Sequence, residues 1–332
     1  MPIHPPRSDA LTDTNPASVA TTRPLPQLSA ELIAVIVAVT GDSPRILTLD
    51  RGLRLPSGPF ETGHRSLQAG VRSWVERQTH HALGHIEQLY TFADQDRLED
   101  PDPKQVISVS YLGLTLEAPA SGDPGVGWQG WYRYFPWEDH RQGLPGVLGP
   151  ILDALEQWVH RAHSVEVRRA RTRRVHHTFG VGGERWNEEW TLQRYELLYE
   201  AGLVQESLRR QNRFPAERRL ATGEAMQHDH RRILATGIAR LRAKIKYRPV
   251  VFELLPEAFT YLRLQKAVEA LAGRRVHKQN FRRLIAFQKL VEPTGGMENK
   301  TGGRPARLYR FRRAVLQERI MAGSKLPLAR LE

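Results

Sequence analysis

The sequence predicts an α+β fold: a mixed-sheet domain first, a helical connector next, and a small helix-and-hairpin domain at the end. Three observations support this order. Strand-like apolar runs dominate residues 29–149, helical apolar stripes dominate residues 150–246, and two short helices precede a Gly-rich hairpin in residues 247–315. We expect residues 1–28, which are rich in Pro, Ser and Thr, to form a disordered tail, and residues 316–332 to form a second tail.

The composition excludes several kinds of site. The chain has 332 residues and no cysteine, which excludes disulfides and thiolate metal ligands. No apolar run approaches the roughly 20 residues of a membrane span, and the first residues lack the layout of a signal peptide. We therefore expect a cytoplasmic protein without membrane contact.

Positive charge is concentrated in the second half of the chain. Residues 1–150 carry 12 Lys/Arg and 17 Asp/Glu, whereas residues 151–332 carry 37 and 19, and the net charge of the chain is +13. This asymmetry indicates an anionic partner for the second half, and nucleic acid is the commonest such partner. A solvated basic surface is the alternative.

The first domain alternates strands with one helix. We expect four strands and a helix, followed by an aromatic stretch that closes the domain: Leu32–Val39, Arg45–Leu49, His85–Phe92 and Val106–Leu116, the helix Leu67–Thr79, and Trp128–His140.

The connector contains helical stripes and one strongly basic run. A stripe of Leu234, Ile238, Leu241 and Ile245 predicts a helix that packs internally or makes dimer contacts. Helical spacing also spans Asn187–Gln211. The basic run "RRARTRRVHH" precedes glycines, so we expect a linker or an exposed loop there.

The last domain has the layout of a helix-turn-helix. Thr260 can cap a helix that ends at Gly273, and a second helix is expected from about His277 to Gln288. Phe281, Leu284 and Ile285 fall on the apolar side of that second helix. Its opposite side is polar and basic, as expected for a helix that enters the major groove of DNA.

A hairpin follows this second helix, with glycines and cations at its tip, and resembles the wing of a winged helix. Such cations can reach phosphates or the minor groove, and the glycines permit close backbone approach. The predicted DNA-binding residues are Lys278, Gln279, Asn280, Arg282, Arg283, Lys300, Arg304 and Arg307. A winged helix used only for protein contacts is the alternative.

The stretch "LPSGPFETGHRSLQAGVRSWVERQTHHALGH" resembles a degenerate Nudix box, a Gly-led loop followed by a glutamate-rich helix that holds Mg²⁺. Gly58 supplies the first glycine. His64 stands where the motif has its first glutamate, and Ser73 and Trp74 stand where it has Arg-Glu. Arg77 and Gln78 stand where it has its pair of glutamates, and His80 stands where it has its second glycine. Only Glu76 remains on the helix, one place out of register, so we expect no metal site and no diphosphate hydrolysis by the Nudix mechanism.

Two further segments accompany this box, "HIEQLYTFADQDR" and "QVISVSYLGL", and the last domain contains "YRPVVFELLPEAFT" and "NFRRLIAFQKLVEPTG". Together they resemble the NrtR-type, Nudix-related transcriptional regulators, and most closely the NadQ branch that regulates NAD synthesis in alphaproteobacteria. The resemblance implies a homodimeric repressor that binds operator DNA. It also implies an NAD-related effector, ADP-ribose or NAD, bound without hydrolysis and without a cofactor.

The basic residues around the box are candidates to meet the diphosphate of such an effector, and nearby aromatic rings are candidates to stack on its adenine. The predicted effector-binding residues are Arg51, Arg54, Arg65, Arg72, Arg77, Trp74, Tyr90 and Phe92. Core packing is the alternative for each aromatic residue.

Two other functions stay open from the sequence alone. A Nudix-fold hydrolase would have to use carboxylates outside the motif, such as Glu61, Glu87, Asp94 or Asp96. A basic scaffold protein would use its winged helix for non-specific nucleic-acid or protein contacts.

Overall fold

The computed structural model describes residues 28–93, 105–118, 123–210, 222–298 and 305–314. It confirms the predicted α+β fold, with a mixed sheet, a helical region and a C-terminal winged helix. Residues 1–27 and 316–332 of the two predicted tails, and the residues Asp94, Asp96, Lys300 and Arg304, lie outside the described residues. Leu28, the last residue of the first predicted tail, begins a strand instead. Among the described residues, the helices lack the length and hydrophobicity that a membrane-spanning segment requires.

The described part of the first domain forms one mixed sheet. Its strands are β1 (Leu28–Thr40), β2 (Ser43–Thr48), β3 (Ser57–Pro59), β4 (Ile86–Phe92), β5 (Gln105–Leu114) and β6 (Gly127–Gly130). The strand order is β4-β5-β1-β2-β6, with β3 paired to β1. Among the described strand pairs of this sheet, β1–β5 is parallel and the other four are antiparallel.

Strand β1 is apolar from Leu32 to Val39, where both of its faces are covered. The side chains of Leu32 and Ile36 lie in one core with Val71 and Val75 of helix α1 (Leu67–Thr79). The alternate residues of β1, including Val35, lie in a second, larger core on the other face. The sheet is therefore sandwiched between α1 and the helices of the region 148–247.

Those helices are α2 (Leu148–His160), α3 (Val165–Phe179), α4 (Thr191–Glu200), α5 (Gln205–Arg210) and α6 (His230–Tyr247). Helix α6 lies directly on the sheet: a Cβ added at Gly237 would approach Val35 Cγ1 to 2.9 Å. The predicted stripe on α6, from Leu234 to Ile245, is at most 2% exposed, so it packs internally within the described chain.

Two expectations for this region were wrong. The basic run Arg168–His177 is not a loop but the greater part of α3, which Ser164 caps at its start and Gly180 ends at φ +63°. Val175 and Phe179 bury the other face of α3. The predicted helix over Asn187–Gln211 is divided into α4 and α5 because the chain turns at Gly202, with φ +72°.

The winged helix follows the prediction closely. Its elements are α7 (Tyr261–Ala272), α8 (Lys278–Phe287) and the hairpin strands β7 (Val291–Glu298) and β8 (Ala306–Phe311). Thr260 Oγ1 accepts a hydrogen bond from Arg263 N at 3.2 Å, and Gly273 ends α7 in the left-handed region.

A buried charge cluster joins the winged helix to the rest of the chain. The Glu138 carboxylate accepts hydrogen bonds from Arg194 of α4, at 2.5 and 2.9 Å, and from Arg242 of α6. All three side chains are at most 1% exposed. Burial alone would raise the pKa of Glu138, but the charges and hydrogen bonds of the two arginines hold that pKa below its ordinary value.

The cluster also fixes the end of α7. Arg242 Nε donates to Leu271 O at 2.9 Å, and His140 N, two residues after Glu138, donates to Gly273 O at 2.7 Å. The turn between the two helices of the helix-turn-helix is thus hydrogen-bonded to the residues around Glu138.

Replacing Glu138 with Gln should lower the free energy of unfolding by about 3–5 kcal/mol, because two buried guanidinium groups lose their counter-charge. Chemical denaturation of the whole chain measures this change. The matched control is Glu156→Gln on α2, where the carboxylate side chain is 73% exposed, and we expect a change within about 0.5 kcal/mol. Equal effects of the two substitutions would contradict the role of the cluster.

Candidate functional site

The loop of the degenerate box is fastened to helix α1 by two side chains. Trp74 Nε1 donates to Pro59 O at 2.8 Å, while the amide of Gln78 bonds both Ser57 O, at 2.8 Å, and Ser57 N, at 3.2 Å. A Cβ at Gly58 would lie 2.2 Å from Trp74 Cε2, so only glycine leaves room for the indole. Loop and helix therefore form one rigid surface.

This surface presents aromatic and charged groups close together, and we call Phe60, Glu61, His64, Trp74 and Arg77 the box cluster. The Arg77 guanidinium carbon lies 4.0 Å from the centroid of the Trp74 ring, and Arg77 Nη2 lies 3.8 Å from Glu61 Oε2. His64 Nδ1 accepts from Glu61 N at 3.1 Å. Phe60 is 39% exposed, with its ring 5.8 Å from that of His64.

The donor set of this surface does not fit Mg²⁺ bound in the Nudix manner. Where that motif places carboxylates, the surface carries an imidazole, an indole and a guanidinium, and the last repels a cation. Among the described residues, no group of three or more His, Cys, Asp or Glu side chains is placed to hold a metal ion. The cation–indole pair of Arg77 and Trp74 suits an anionic, aromatic ligand instead.

Two other predicted effector residues lie on α1 or just before it. Arg72 donates to the backbone oxygens of Leu83 and Gly84, the latter at 2.5 Å. These contacts hold the segment after α1 in place, so they favour a structural role for Arg72. Arg65 is exposed just before Ser66, the cap of α1.

Arg51 and Arg54 lie on the part of the chain that contacts α6, away from α1. Arg54 forms an ion pair with Asp50, and the next residue, Leu55, donates its N–H to His230 Nδ1 at 2.9 Å. His230 is fully buried, and burial, followed by the charges of His228 and Arg54, lowers its pKa to about 3. A neutral imidazole therefore holds this loop on α6.

The remaining two predicted effector residues lie on β4, at the edge of the sheet. Phe92 is 6% exposed and belongs to the larger core, with the Arg232 guanidinium 4.8 Å from its ring centroid. Tyr90 is 58% exposed, and its ring lies 4.9 Å from that of Phe92. Of the eight predicted residues, the structure thus places Trp74 and Arg77 in the box cluster, with Phe60, Glu61 and His64, and it places Tyr90 and Phe92 together as a separate pair on β4.

The second candidate surface is the outer face of α8. Phe281 and Ile285 are each 2% exposed and anchor the helix. Opposite them, Gln279, Arg282 and Arg283 are exposed; Lys278 is exposed at the first position of the helix, and Asn280 is half-buried. This is the arrangement of a recognition helix, in which an apolar face holds the helix while polar and basic groups face outward.

The hairpin stands next to this helix and extends the basic surface. Strand β8 is joined to the start of the domain by reciprocal backbone hydrogen bonds between Tyr309 and Phe259, at 2.8 and 2.9 Å. Arg307 is exposed on β8, whereas Arg310 is paired with Glu292 at 2.7 Å. Among the residues that the structure describes, no acidic side chain pairs with Arg307, which makes it a candidate to bind an anionic ligand.

Comparisons with known proteins agree with this geometry. Residues 251–311 match the NrtR DNA-binding winged helix domain. A curated relative from Acinetobacter baylyi, named ADPR responsive transcriptional repressor NtrR, is 37% identical over 83 residues. The match covers 25% of this chain and 33% of the relative, so it spans about a third of the relative's length.

Two solved structures have a similar fold over most of this chain. Shewanella oneidensis NrtR in complex with a 27mer DNA has a TM-score of 0.52 at 18% identity, over 87% of this chain and 95% of that one. Another structure of Shewanella oneidensis NrtR has a TM-score of 0.50 at 19% identity, over 85% and 94% of the two chains. This chain therefore has the fold of the NrtR-type, Nudix-related regulators, and its last domain is a winged helix of the NrtR type.

Proposed function

We propose that the chain is a DNA-binding transcriptional repressor whose Nudix-like domain senses ADP-ribose or a related metabolite of NAD. The exposed basic face of α8, within a winged helix that matches the NrtR domain, is the observation that carries this proposal. The curated relative, named as an ADPR-responsive repressor, supports the choice of effector. Within this group of regulators we propose the NadQ branch, which acts on genes of NAD synthesis or salvage. The long helical region between the sheet and the winged helix supports this choice.

On DNA, α8 enters the major groove with Arg282 and Arg283 toward base edges, and the hairpin contacts phosphates through Arg307. Two copies of the chain would place two such helices on a two-fold operator, so the active form is a homodimer. Lys278 and Gln279, at the start of α8, are placed to extend the contact along the groove.

The box cluster binds the effector without hydrolysing it. Arg77 binds the diphosphate, and the Trp74 indole, against which Gly58 packs, holds that guanidinium in place. Hydrolysis in the Nudix manner would need carboxylates on α1, and Glu76, exposed and out of register, is the one that the helix has. A ligand that favours the arrangement with low DNA affinity weakens DNA binding, and DNA weakens ligand binding by the same factor.

Replacing Arg282 and Arg283 together with Ala should weaken operator binding by about 1–3 kcal/mol for each residue that reads a base edge. Binding to a scrambled duplex should fall less. A gel-shift titration at fixed salt measures both affinities, with Arg240→Ala, an exposed arginine on α6, as the control. If the double variant binds the operator as the unchanged chain does, α8 is not the recognition helix.

Replacing Arg77 with Ala should weaken ADP-ribose binding about 10- to 100-fold, because a charge-assisted hydrogen bond to the diphosphate is lost. Calorimetric titration of the dimer with ADP-ribose, in the presence and absence of Mg²⁺, measures this change. The neighbouring substitution Glu76→Gln should leave the affinity unchanged. Mg²⁺-dependent consumption of ADP-ribose that Glu76→Gln abolishes would instead establish the hydrolase.

A further inference from the structure

Helix α3 carries five arginines among its 15 residues, and only some of them have partners within the protein. Arg171 Nη1 donates to Trp158 O at 2.8 Å, and its guanidinium lies 4.1 Å from the centroid of the Trp158 ring. Arg174 makes two hydrogen bonds to the Glu200 carboxylate, at 2.9 and 2.6 Å. These two arginines fasten α3 to α2 and α4.

The other three, Arg168, Arg169 and Arg173, are exposed and form what we call the α3 arginine face. Within the described parts of the chain, no acidic side chain lies within ion-pair distance of them. Arg169 and Arg173 are four residues apart and Arg168 lies beside them, so their charges occupy one side of the helix. Like charges at this spacing destabilise a helix, and an anionic partner would relieve that cost.

The α3 arginine face belongs to a helix that ends close to the helix-turn-helix. The His177 ring, in the last turn of α3, lies 4.1 Å from the centroid of Trp190. Two residues before that tryptophan, Glu188 pairs with Arg274, in the turn between α7 and α8, at 3.1 Å. The segment Glu188–Trp190 therefore lies between the end of α3 and this turn and contacts both.

Distances along the helix follow from its rise of about 1.5 Å per residue. Arg173 lies about 9 Å from the end of α3 at Phe179, and Arg168 and Arg169 lie about 15–17 Å from it. DNA that is held by α8 and continues past this turn would come within reach of long arginine side chains on α3.

We propose that the α3 arginine face is a second DNA-contacting surface, which binds the phosphate backbone of double-stranded DNA beyond the base pairs read by α8. This proposal rests on the proposed function of the chain as a DNA-binding repressor. Duplex DNA fits better than an acidic protein because α3 ends beside the helix-turn-helix, and because guanidinium groups bind phosphate oxygens in a bidentate manner. The contacts carry no sequence preference, and they lengthen the footprint of the repressor.

The test is the salt dependence of DNA binding by the whole chain. The variant replaces Arg168, Arg169 and Arg173 with Gln, a good helix former, so α3 should stay folded. Each lost phosphate contact lowers the slope of log Kobs against log salt by about 0.9, so we expect the slope to fall by about 2–3. Affinity for operator and scrambled duplexes of equal length should fall by the same factor.

A variant with Lys at the same three positions is the matched control, because it keeps the charge and should keep the slope. Trimming the operator to the base pairs that α8 and the hairpin cover should remove the difference in affinity and salt slope between the Gln variant and the unchanged chain.

An unchanged slope in the Gln variant, while the unchanged chain binds the operator, would overturn this inference alone. If the Gln variant instead loses subunit association in sedimentation and keeps its slope, the face is a protein interface and the inference is also overturned. If the unchanged chain binds no duplex at all, the proposed function fails together with it.

Discussion

One buried carboxylate holds the architecture together. Glu138 accepts hydrogen bonds from Arg194 and Arg242 in a place from which water is excluded. Removing these charges from water costs several kcal/mol per ion, and only a closely fitted arrangement offsets that cost. Because the same arginine, Arg242, also bonds the end of α7, the position of the winged helix depends on this arrangement. The positions of the sheet domain, the helical region and the winged helix thus depend on the same buried ion pairs.

Helix α6 connects the two candidate surfaces. Near its start, His230 holds the backbone of Leu55, two residues before the loop of the box cluster begins at Ser57. Twelve residues later, about 18 Å along the helix axis, Arg242 bonds Glu138 and the end of α7. A ligand that displaces the loop would therefore act on the same helix that fixes the turn before α8. Coupling between effector and DNA requires such an element with two arrangements, and α6 is placed to be that element.

Local signals in the sequence predicted the elements well. Helix α1 spans the predicted Leu67–Thr79, and α7 begins after Thr260 and ends before Gly273. These bounds were predictable because helix caps and apolar spacing depend on residues that are close in the sequence. Helix α3 was not predicted because five of its 15 residues are arginines and its buried stripe is short, with Val175 and Phe179 as its apolar residues. Ser164, its cap, was the available signal.

The candidate site was only partly predictable, for a different reason. Trp74 and Arg77 are three residues apart on a helix, so their proximity follows from helical geometry. Phe60 and His64 come from a loop whose path depends on Gly58 and the indole beside it. Arg72 was assigned to the effector from its charge, yet its partners are backbone carbonyls that no pattern reveals. The partners of Glu138 are 56 and 104 residues away and become visible only in the fold.

The most direct test of the account is a gel-shift titration of the whole chain on DNA from upstream of an NAD-synthesis operon. The titration is run against a scrambled duplex at the same salt concentration, with and without ADP-ribose and NAD. We expect tighter binding to the upstream DNA, and we expect ADP-ribose to release it. Equal binding to both duplexes, unaffected by either metabolite, would leave a non-specific basic protein and contradict the sensor-repressor account.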